Sequence, residues 1–493
     1  MPFLSVDFAE TVGRVSHRLY GLGFEHVGAS VYGGAFVGEN SSTPNEQGWR
    51  SDVLRLARSL RPGLLRWPGG SFAQTYHWRD GVGPLADRPR RFDYYWAKPE
   101  PNLVGTDEFL RFCELIDAEP SITVNTRTGT PEEAAAWVEY CNGTVDTAGG
   151  RERAANGRTT PYNVNLWAIG SQSWELGAED AVRRHRAFAA AMKAVDPTIQ
   201  TVAIGGNANN QPAWDRPLVE GLAESIDVLG VTHHDGVSTP GDLTPADAHY
   251  ANQASAERIL WTFSNACQTI DELAGGRAEA GVGLDGWGIW RVNRQGLQHD
   301  YHLSDGMVAA VVLNGLHRLP NRARFAAWGN LVNALGLVQA TERSAWTTPV
   351  YEVFKLYRRF HGDEVVRTSV AGATVYAPAA SAPVRAPRPA HPDLAILDVC
   401  ATRDRAAGRY TLAVVNRSVD EWQDVSLAIA GLPDGLGATV WTLSADDAFA
   451  ANTLAEPRRI EPSEVPVGPI GTSRFFAPRS VTLVVWEETP GLT

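Results

Sequence analysis

The sequence predicts an α/β fold: a (β/α)8 TIM barrel over residues 16–362, and a C-terminal antiparallel β-sandwich over residues 363–493, to which residues 1–15 add a strand. Through the first of these parts, eight short apolar runs alternate with longer amphipathic stretches, as parallel strands alternate with helices in a barrel. After about residue 365, β-rich runs follow one another without helical stretches, which is typical of a sandwich. The 493 residues also exceed one ordinary domain, unless one part is a large barrel.

The eight barrel strands are predicted in short runs rich in Leu, Ile, Val and Ala. In chain order, these runs are LYGLGFEH (19–26), GLLRWPGG (63–70), PSITVNT (120–126), NLWAIGSQ (165–172), QTVAIGG (200–206), IDVLGVTHH (226–234), AGVGLDGW (280–287) and RARFAAWGN (322–330). Helical patterns lie between them. TDEFLRFCELIDA (106–118) begins with Thr106 and Glu108, and PEEAAAWVEYCN (131–142) begins with Pro131 and two acidic residues; both are typical helix starts.

The C-terminal part is predicted to consist of strands alone. The β-rich runs are VVRTSVAGATVYAP (365–378), LAILDVCATRD (394–404), RYTLAVVNRS (409–418), DVSLAIAGL (424–432), GATVWTLSA (437–445) and SVTLVVWEE (480–488), with FLSVDF (3–8) as a further strand. Residues 377–392 contain five prolines and are predicted to be a loop, because proline cannot donate a backbone hydrogen bond to a sheet.

Composition excludes some functions and partners. The net charge of −12 argues against non-specific nucleic-acid binding, which needs cationic groups to neutralise phosphates. We see no basic start followed by an apolar run and no 18-residue apolar segment, so neither a signal peptide nor a membrane span is expected. The four cysteines are widely spaced and are expected to be reduced core thiols of a cytoplasmic protein. Most of the sixteen tryptophans are expected to be structural.

The carboxyl ends of barrel strands carry the functional residues of such folds, so the last residues of each run are the candidates. For each of them, a hydrogen bond from the strand end to a loop is the alternative interpretation. The candidates are Glu25, His26, Arg66, Ser71, Asn125, Ser171, Gln172, His233, His234, Asp235, Asp285, Gly286 and Trp287.

Long ordered motifs between residues 18 and 360 resemble the intracellular α-L-arabinofuranosidase family of retaining glycoside hydrolases. These motifs are GLGFEHVGASVYGG, LLRWPGGSFAQTYHWRDGVGPLADRP, EPNLVGTDEFLRFCE, TGTPEEAAAWVEYCNG, RAANGRTTPYNVNLWAIG, DGWGIW and GNLVNAL. The resemblance implies the barrel-plus-sandwich architecture and a ligand that is a furanosyl-containing oligosaccharide or glycoside. It also implies a homo-oligomer, for which the sequence itself shows no interface.

The sequence departs from the family pattern at the pocket floor. The family carries Gly-Asn-Glu where this chain has Gly170-Ser171-Gln172, and Asp-Glu-Trp where it has Asp285-Gly286-Trp287. In the family the first Glu is the acid/base and the second is the nucleophile. Ser71 replaces a common Asn, and Asp235 stands where Tyr is frequent. Five residues match the family pattern: Glu25, Arg66, Asn125, His233 and Trp287. In the family, the equivalents of Glu25 and Asn125 line the sugar pocket.

These departures remove the means of ordinary retaining hydrolysis. That reaction needs two carboxyl groups roughly 5 Å apart, one to donate a proton and one to attack the anomeric carbon. Gln172 forms hydrogen bonds but does not exchange a proton near neutral pH. Gly286 has no side chain, so the nucleophile position is vacated.

Three neighbouring acidic residues could substitute for the missing groups. Asp285 is adjacent to the vacated position, but side chains alternate along a strand, so it should face away from the pocket. Glu175 could fold back from its loop. Asp235 is expected to face the ligand and, with Glu25 and His233, to transfer protons. The same three groups could hold a divalent metal, but we expect no cofactor.

Three functions follow from these expectations. The first is chemistry on a furanose-like glycoside by another route, with Glu25, His233 and Asp235 as catalytic residues. Its ligand would be bound by Arg66, Ser71, Asn125, Ser171, Gln172, His234 and Trp287. The second is sugar binding without cleavage. The third is weak arabinofuranosidase activity by an unseen carboxylate.

Overall fold

The structure is a computed structural model that describes residues 1–236, 243–274, 279–290, 300–381 and 387–488. Within these residues, no helix is long and apolar enough to cross a membrane. The four cysteines are buried and form no disulfide, as expected for core thiols.

The described strands are β1 (Phe3–Arg14), β2 (Gly21–Gly23), β3 (Asn45–Glu46), β4 (Trp49–Arg50), β5 (Leu64–Trp67), β6 (Arg91–Asp93), β7 (Lys98–Glu100), β8 (Glu119–Val124), β9 (Leu166–Ile169), β10 (Gln200–Asn207), β11 (Val228–Asp235), β12 (Gly281–Ile289), β13 (Ala323–Trp328), β14 (Asn330–Val332), β15 (Gly336–Ala340), β16 (Ala345–Thr347), β17 (Glu364–Ala371), β18 (Thr374–Ala377), β19 (His391–Ala395), β20 (Leu397–Asp404), β21 (Arg409–Asn416), β22 (Gln423–Ala430), β23 (Ala438–Ser444), β24 (Ser463–Val467), β25 (Ser473–Phe476) and β26 (Ser480–Glu487). The described helices are α1 (Ser51–Leu60), α2 (Thr106–Ile116), α3 (Pro131–Asn142), α4 (Ala148–Ala155), α5 (Ala178–Val195), α6 (Asp215–Leu222), α7 (Pro245–Ala274), α8 (Leu303–His317) and α9 (Pro349–Phe360).

Eight parallel strands close into a barrel in the order β2, β5, β8, β9, β10, β11, β12, β13. Each overlaps one of the eight predicted runs and extends at most two residues beyond it, so the predicted barrel is confirmed. Its interior below the mouth is filled by apolar side chains, among them Leu64, Leu166, Val202, Val228 and Phe325. The barrel is therefore a packed core, and a ligand can enter only at its ends.

The two predicted helices begin as their sequences indicate. The Thr130 side chain accepts a hydrogen bond from the Glu133 amide, and Pro131 occupies the first turn of α3. In α2, the Glu108 carboxylate accepts the Gly105 amide and so satisfies one of the unpaired donors at the helix start.

Eight of the C-terminal strands form a nine-stranded sheet with β1, in the order β24, β23, β26, β21, β20, β17, β1, β22, β25, while β18 and β19 pair in a separate two-stranded sheet. Four steps separate β1 from β26, about 19 Å in a flat sheet at the usual strand spacing. The ring of Phe8 on β1 nevertheless lies 5.8 Å from that of Trp486 on β26, so the sheet folds over on itself around one apolar core. Pairing is antiparallel as predicted, except that β1 and β22 run parallel.

The sheet packs against the last two barrel helices. Asn314 on α8 donates to the Asp398 carboxylate on β20, with a distance of 2.7 Å between Nδ2 and Oδ1. Cys400 and Leu483 belong to the same apolar core as the barrel helices. The cavity lies at the carboxyl ends of the barrel strands, and none of its described lining residues belongs to this sheet.

Candidate active site

A cavity of about 220 Å³ opens at the carboxyl ends of the barrel strands. Among its described lining residues are six of the sequence candidates: Glu25, Arg66, Ser71, Gln172, His234 and Gly286. Two larger clefts, of about 510 and 540 Å³, lie along helix α2 and include no such strand end. The mouth of the barrel is therefore the candidate site.

Glu25 follows β2 and points into the cavity with 22% of its side chain exposed. Its Oε1 accepts a hydrogen bond from Arg66 Nη1 at 2.9 Å, and its backbone amide donates to Asn330 Oδ1 at 2.8 Å. Burial raises the pKa of the Glu25 carboxyl, the Arg66 charge opposes this, and the nearby Asp285 carboxylate adds to the rise. Glu25 can therefore hold a proton at a higher pH than a free glutamate.

Arg66 is almost fully buried and joins three groups beneath the cavity. Its Nε lies 2.5 Å from Asp285 Oδ1, and its Nη2 donates to Ser171 Oγ at 3.3 Å. Burial also raises the pKa of the Asp285 carboxyl, against the opposing effect of Arg66. The guanidinium of Arg66 thus pairs with two carboxyl groups, those of Glu25 and Asp285. Ser171 lies under the cavity floor, where it contacts Arg66 instead of lining the cavity.

A β-bulge in β12 sets which of its residues face the cavity. Leu284 pairs with Val231 and Trp287 with His233, so Asp285 and Gly286 together face the single residue Thr232. Asp285 does not line the cavity, but its side chain does not face away from the barrel interior as expected. It points inward, as position 283 does against Phe325, and lies below the cavity in contact with Arg66.

Gly286 has a φ of +127°, a backbone conformation that residues other than glycine rarely adopt. A Cβ built there would lie 3.4 Å from His234 Cε1 and 3.6 Å from Thr232 Cγ2, so the space itself is open. Backbone strain, not crowding, would therefore oppose a side chain at this position.

Gln172 lies opposite this strand end with a φ of +49°, and its amide carbonyl accepts a hydrogen bond from Ser71 Oγ at 3.3 Å. Its carboxamide can orient a ligand hydroxyl but cannot supply a proton. Glu175, three residues on, instead pairs with Arg127 at 2.6 Å in an exposed position.

The expectation that His233 and Asp235 face the ligand is wrong. His233 Nδ1 lies 2.7 Å from Thr262 Oγ1 on helix α7. Asp235 is fully buried on that side, 2.6 Å from both Arg258 Nε and Arg388 Nε. Burial opposes ionisation of its carboxyl, but the hydrogen bond from His233 and the two arginine charges lower its pKa. Strand alternation places Thr232 and His234 in the cavity and the two predicted catalytic groups behind its wall.

Two further predicted ligand residues are also structural. The Asn125 side chain donates to Thr128 Oγ1 and accepts the amides of Arg127 and Thr128, so its polar atoms hold its own loop. Trp287 is fully buried on the outer face of the barrel, with its ring 4.9 Å from that of Trp328. Neither residue lines the cavity.

Three tryptophans of the cavity wall were not predicted from the sequence: Trp96, Trp174 and Trp290. Trp290 is the last residue of the motif DGWGIW, and Trp174 follows Gln172 by two residues. Both lie just beyond predicted strand ends, so their positions in the sequence could have indicated that they line the cavity. Trp96 comes from the turn between β6 and β7, and nothing in the sequence pattern indicates its position. Tryptophan offers a flat apolar face and one donor, which suits the two kinds of surface on a sugar ring.

A metal site of Glu25, His233 and Asp235 does not form, because Glu25 lies in the cavity and the other two lie behind its wall. Within the described parts of the chain, no group of three His, Cys, Asp or Glu side chains is arranged to hold an ion.

Comparisons with known proteins agree on one family. The Alpha-L-arabinofuranosidase 1 domain model matches residues 56–234, and the Alpha-L-arabinofuranosidase C-terminal domain model matches residues 285–477. A probable α-L-arabinofuranosidase C of Aspergillus clavatus is 30% identical over 473 residues, covering 92% of this chain and 91% of that protein. An intracellular exo-α-L-arabinofuranosidase of Bacteroides ovatus is 30% identical over 363 residues, 70% of each chain.

A solved structure gives the same result. The α-L-arabinofuranosidase of Thermotoga maritima, described in an arabinose complex, superposes with a TM-score of 0.90 at 32% identity, covering 99% of this chain and 100% of that one.

Proposed function

The chain belongs to the α-L-arabinofuranosidase family, and from that premise we propose that its barrel mouth binds a furanosyl glycoside without the family's two-carboxylate hydrolysis. In this proposal the site is refitted: Gln172 and Gly286 stand where the resemblance places the acid/base and the nucleophile. The protein is then a carbohydrate-active member of the family whose main role is binding.

One observation carries the proposal: among the described lining residues of the cavity, Glu25 is the sole carboxylic acid. It is held by Arg66. A double displacement needs a second carboxyl group roughly 5 Å from the first, on the other side of the anomeric carbon. Asp285 is buried below Arg66 and Glu175 is paired outside, so neither supplies that group.

The remaining cavity surface supports sugar binding. Trp96, Trp174 and Trp290 provide apolar faces, while Glu25, Gln172 and His234 provide hydrogen-bonding groups from different sides. A volume of about 220 Å³ lies below the range of roughly 300 Å³ and more that is usual for drug-sized ligands, and suits a single sugar residue.

A second candidate function is chemistry that uses one carboxyl group. The raised pKa of Glu25 favours it, because a general acid works best with a pKa near the working pH. His234 lies in the same cavity as a second titratable group. His233 and Asp235 have no part in this version, since both lie behind the cavity wall.

Titration calorimetry with methyl α-L-arabinofuranoside and arabino-oligosaccharides tests the proposal. We expect saturable binding at millimolar or lower concentration, weakened about tenfold by Trp174→Ala and unchanged by Trp422→Ala, which alters an exposed tryptophan of the sheet. The absence of heat at millimolar ligand would contradict it.

One control addresses an unseen carboxylate. Residues 237–242 and 291–299, which follow cavity positions in the sequence, contain a single acidic residue, Asp242. If the wild-type protein cleaves an aryl arabinofuranoside and Asp242→Asn abolishes this, the protein is a weak arabinofuranosidase and the proposal is wrong.

We also propose a cytoplasmic location and a homo-oligomer. The four buried, unpaired cysteines suit a reducing compartment, and the Bacteroides ovatus relative is named as intracellular. Cell fractionation and light scattering of the purified chain test the two statements.

A further inference from the structure

Asp215, the first residue of α6, is a buried carboxyl group behind the cavity wall. It is 1% exposed and is not among the described lining residues of the cavity. Its Oδ1 accepts a hydrogen bond from the Gly206 backbone amide at 2.6 Å, and its Oδ2 accepts one from the Gln211 side chain. Burial raises the pKa of Asp215 to about 6, and these two hydrogen bonds oppose the rise. Burying a carboxyl group on uncharged donors costs free energy, so Asp215 is a candidate for a role other than stability.

The Gly206 amide belongs to the same peptide group as the Gly205 carbonyl. This carbonyl accepts a hydrogen bond from the indole Nε1 of Trp174 at 2.9 Å, and Trp174 is part of the cavity wall. Asp215 and Trp174 therefore contact opposite ends of one peptide group, the carboxyl group at its N–H and the indole at its C=O. Hydrogen bonds in such a chain polarise one another, so a carboxylate at the N–H strengthens the carbonyl as an acceptor.

The backbone around this peptide group is irregular and closely packed. In a β-bulge of β10, Gly205 and Gly206 together face the single residue Val231 of β11. A Cβ at Gly205 would lie 2.8 Å from Val231 Cγ1, and one at Gly206 would lie 2.7 Å from Asn210 Oδ1. Glycine is therefore the residue that fits at both positions, and two glycines leave the peptide plane between them free to rotate unless other groups fix it. Asp215 is such a group.

We propose that Asp215 is a positioning residue, which fixes the orientation of the Gly205–Gly206 peptide group and, through the Gly205 carbonyl, holds the indole of Trp174 in the cavity wall. Asp215 itself does not touch the ligand. This role rests on the proposed function, because Trp174 provides an apolar face to the ligand cavity. Without an acceptor at position 215, the peptide plane rotates, the Gly205 carbonyl turns away and the Trp174 ring loses its fixed orientation.

The alternative role of Asp215 is to stabilise α6, since an acidic residue in the first turn of a helix interacts favourably with the helix dipole. Its hydrogen bonds favour positioning, because their donors lie outside the helix: Gly206 is on β10, and Gln211 is in the segment between β10 and α6. A role in the helix alone predicts a change in stability and an unchanged Trp174.

The first test uses no ligand and follows Trp174 directly. In protein labelled with 5-fluorotryptophan, the fluorine NMR resonance that disappears in Trp174→Phe identifies this residue among the sixteen tryptophans. Asp215→Ala and Asp215→Ser both remove the acceptor, and serine is well tolerated at helix starts. Both variants should shift and broaden the Trp174 resonance.

Asp215→Asn is the conservative variant. Its carbonyl still accepts from the Gly206 amide, and its new amide can donate to Gln211 Oε1, which is buried without a partner among the described residues. We therefore expect Asp215→Asn to retain most of the wild-type Trp174 resonance.

The second test is calorimetry with methyl α-L-arabinofuranoside. Asp215→Ser should weaken binding about fivefold, less than Trp174→Ala, because the ring is still present. In the Trp174→Ala background it should change the affinity less than about twofold, since two changes that act through one contact do not add. Asp107→Ala is the matched control. It alters an acidic residue in the first turn of α2 that accepts hydrogen bonds from Tyr140 and Tyr162 and is not a described cavity residue.

Asp107→Ala should leave both the Trp174 resonance and the affinity unchanged. An unchanged Trp174 resonance in folded Asp215→Ser, or losses of affinity that add in the double variant, would overturn the role of Asp215. If the wild-type protein does not bind the glycoside, the proposed function fails, and the Trp174 resonance still decides whether Asp215 holds the indole.

Discussion

Arg66 and Glu25 form an ion pair inside the barrel mouth, with 2.9 Å between Nη1 and Oε1 and with the arginine almost fully buried. The same guanidinium holds Asp285 through Nε. Glu25, the one acid among the described cavity residues, is therefore fixed from below, and its side chain is still 22% exposed at the cavity. This arrangement favours a fixed hydrogen-bonding group for a sugar over a nucleophile.

Glu25→Gln should weaken glycoside binding about tenfold, because a hydrogen bond to a charged group is worth about 1.5–3 kcal/mol. The thermal midpoint should change little, since Asp285 still balances Arg66 and the repulsion between two buried carboxyl groups is removed. Calorimetry and thermal unfolding measure the two effects. Glu152→Gln, in an exposed pair with Arg79, is the control. Unchanged affinity in Glu25→Gln would exclude Glu25 from the ligand site.

Asp285→Ala should destabilise the fold by about 3 kcal/mol, because Arg66 Nε loses its buried acceptor and a void remains. Asp285→Asn keeps an acceptor of the same shape and should cost less than about 1.5 kcal/mol. Guanidinium unfolding midpoints give both values. Equal losses in the two variants would contradict this prediction and would show that Arg66 needs the negative charge of Asp285, not its shape or its acceptor oxygen.

His185 should make the fold sensitive to acid. Burial lowers the pKa of its imidazole to about 4, whereas an exposed histidine titrates near 6.5. Between these pH values the unfolded chain binds the extra proton, so the stability contribution is present above pH 6.5 and is lost as the pH falls towards 4. The difference between these two pKa values corresponds to about 3 kcal/mol in the free energy of unfolding.

His185→Met removes this site. Its unfolding midpoint should therefore fall less than that of the wild-type protein between pH 7 and pH 4.5. His77→Gln changes a histidine whose side chain is 44% exposed and serves as the control. Identical acid sensitivity of wild type and His185→Met would contradict the assignment.

Gly286→Ala should cost about 1–3 kcal/mol, because the φ of +127° is strained for any L side chain. Gly468→Ala, where a Cβ meets nothing within 4 Å, should be nearly neutral. For the same reason, the double variant Gln172→Glu/Gly286→Glu should show little hydrolysis, since the bulged backbone would not hold the carboxylate at position 286 at a working angle. Full recovery in the double variant would show that the backbone adapts.

The sequence predicted the architecture well because each barrel strand is a compact apolar run, as in NLWAIGSQ and QTVAIGG. It predicted the cavity less well, because strand alternation depends on where bulges lie. The pairing of Trp287 with His233 on the outer face follows from the bulge at Asp285 and Gly286, which no local pattern indicates.

Loop conformations are the second reason why the cavity residues were only partly predicted from the sequence. Trp96 enters the cavity from a hairpin turn, and Asn125 turns away because its side chain completes its own loop. The position of Trp96 depends on contacts between segments distant in sequence, whereas that of Asn125 depends on the local fold of residues 125–128. Four residues near the ends of the predicted runs do reach the cavity: Arg66 and His234 lie inside β5 and β11, and Glu25 and Gln172 follow β2 and β9 within three residues.

Release of 4-nitrophenol from 4-nitrophenyl α-L-arabinofuranoside by the purified wild-type protein tests the central claim most directly. We predict no release above that of the buffer without added nucleophile, even at concentrations of the nitrophenyl glycoside at which calorimetry shows the site saturated with it. Rapid release that is abolished by competing arabino-oligosaccharide would contradict it and would require a second carboxylate at the anomeric carbon.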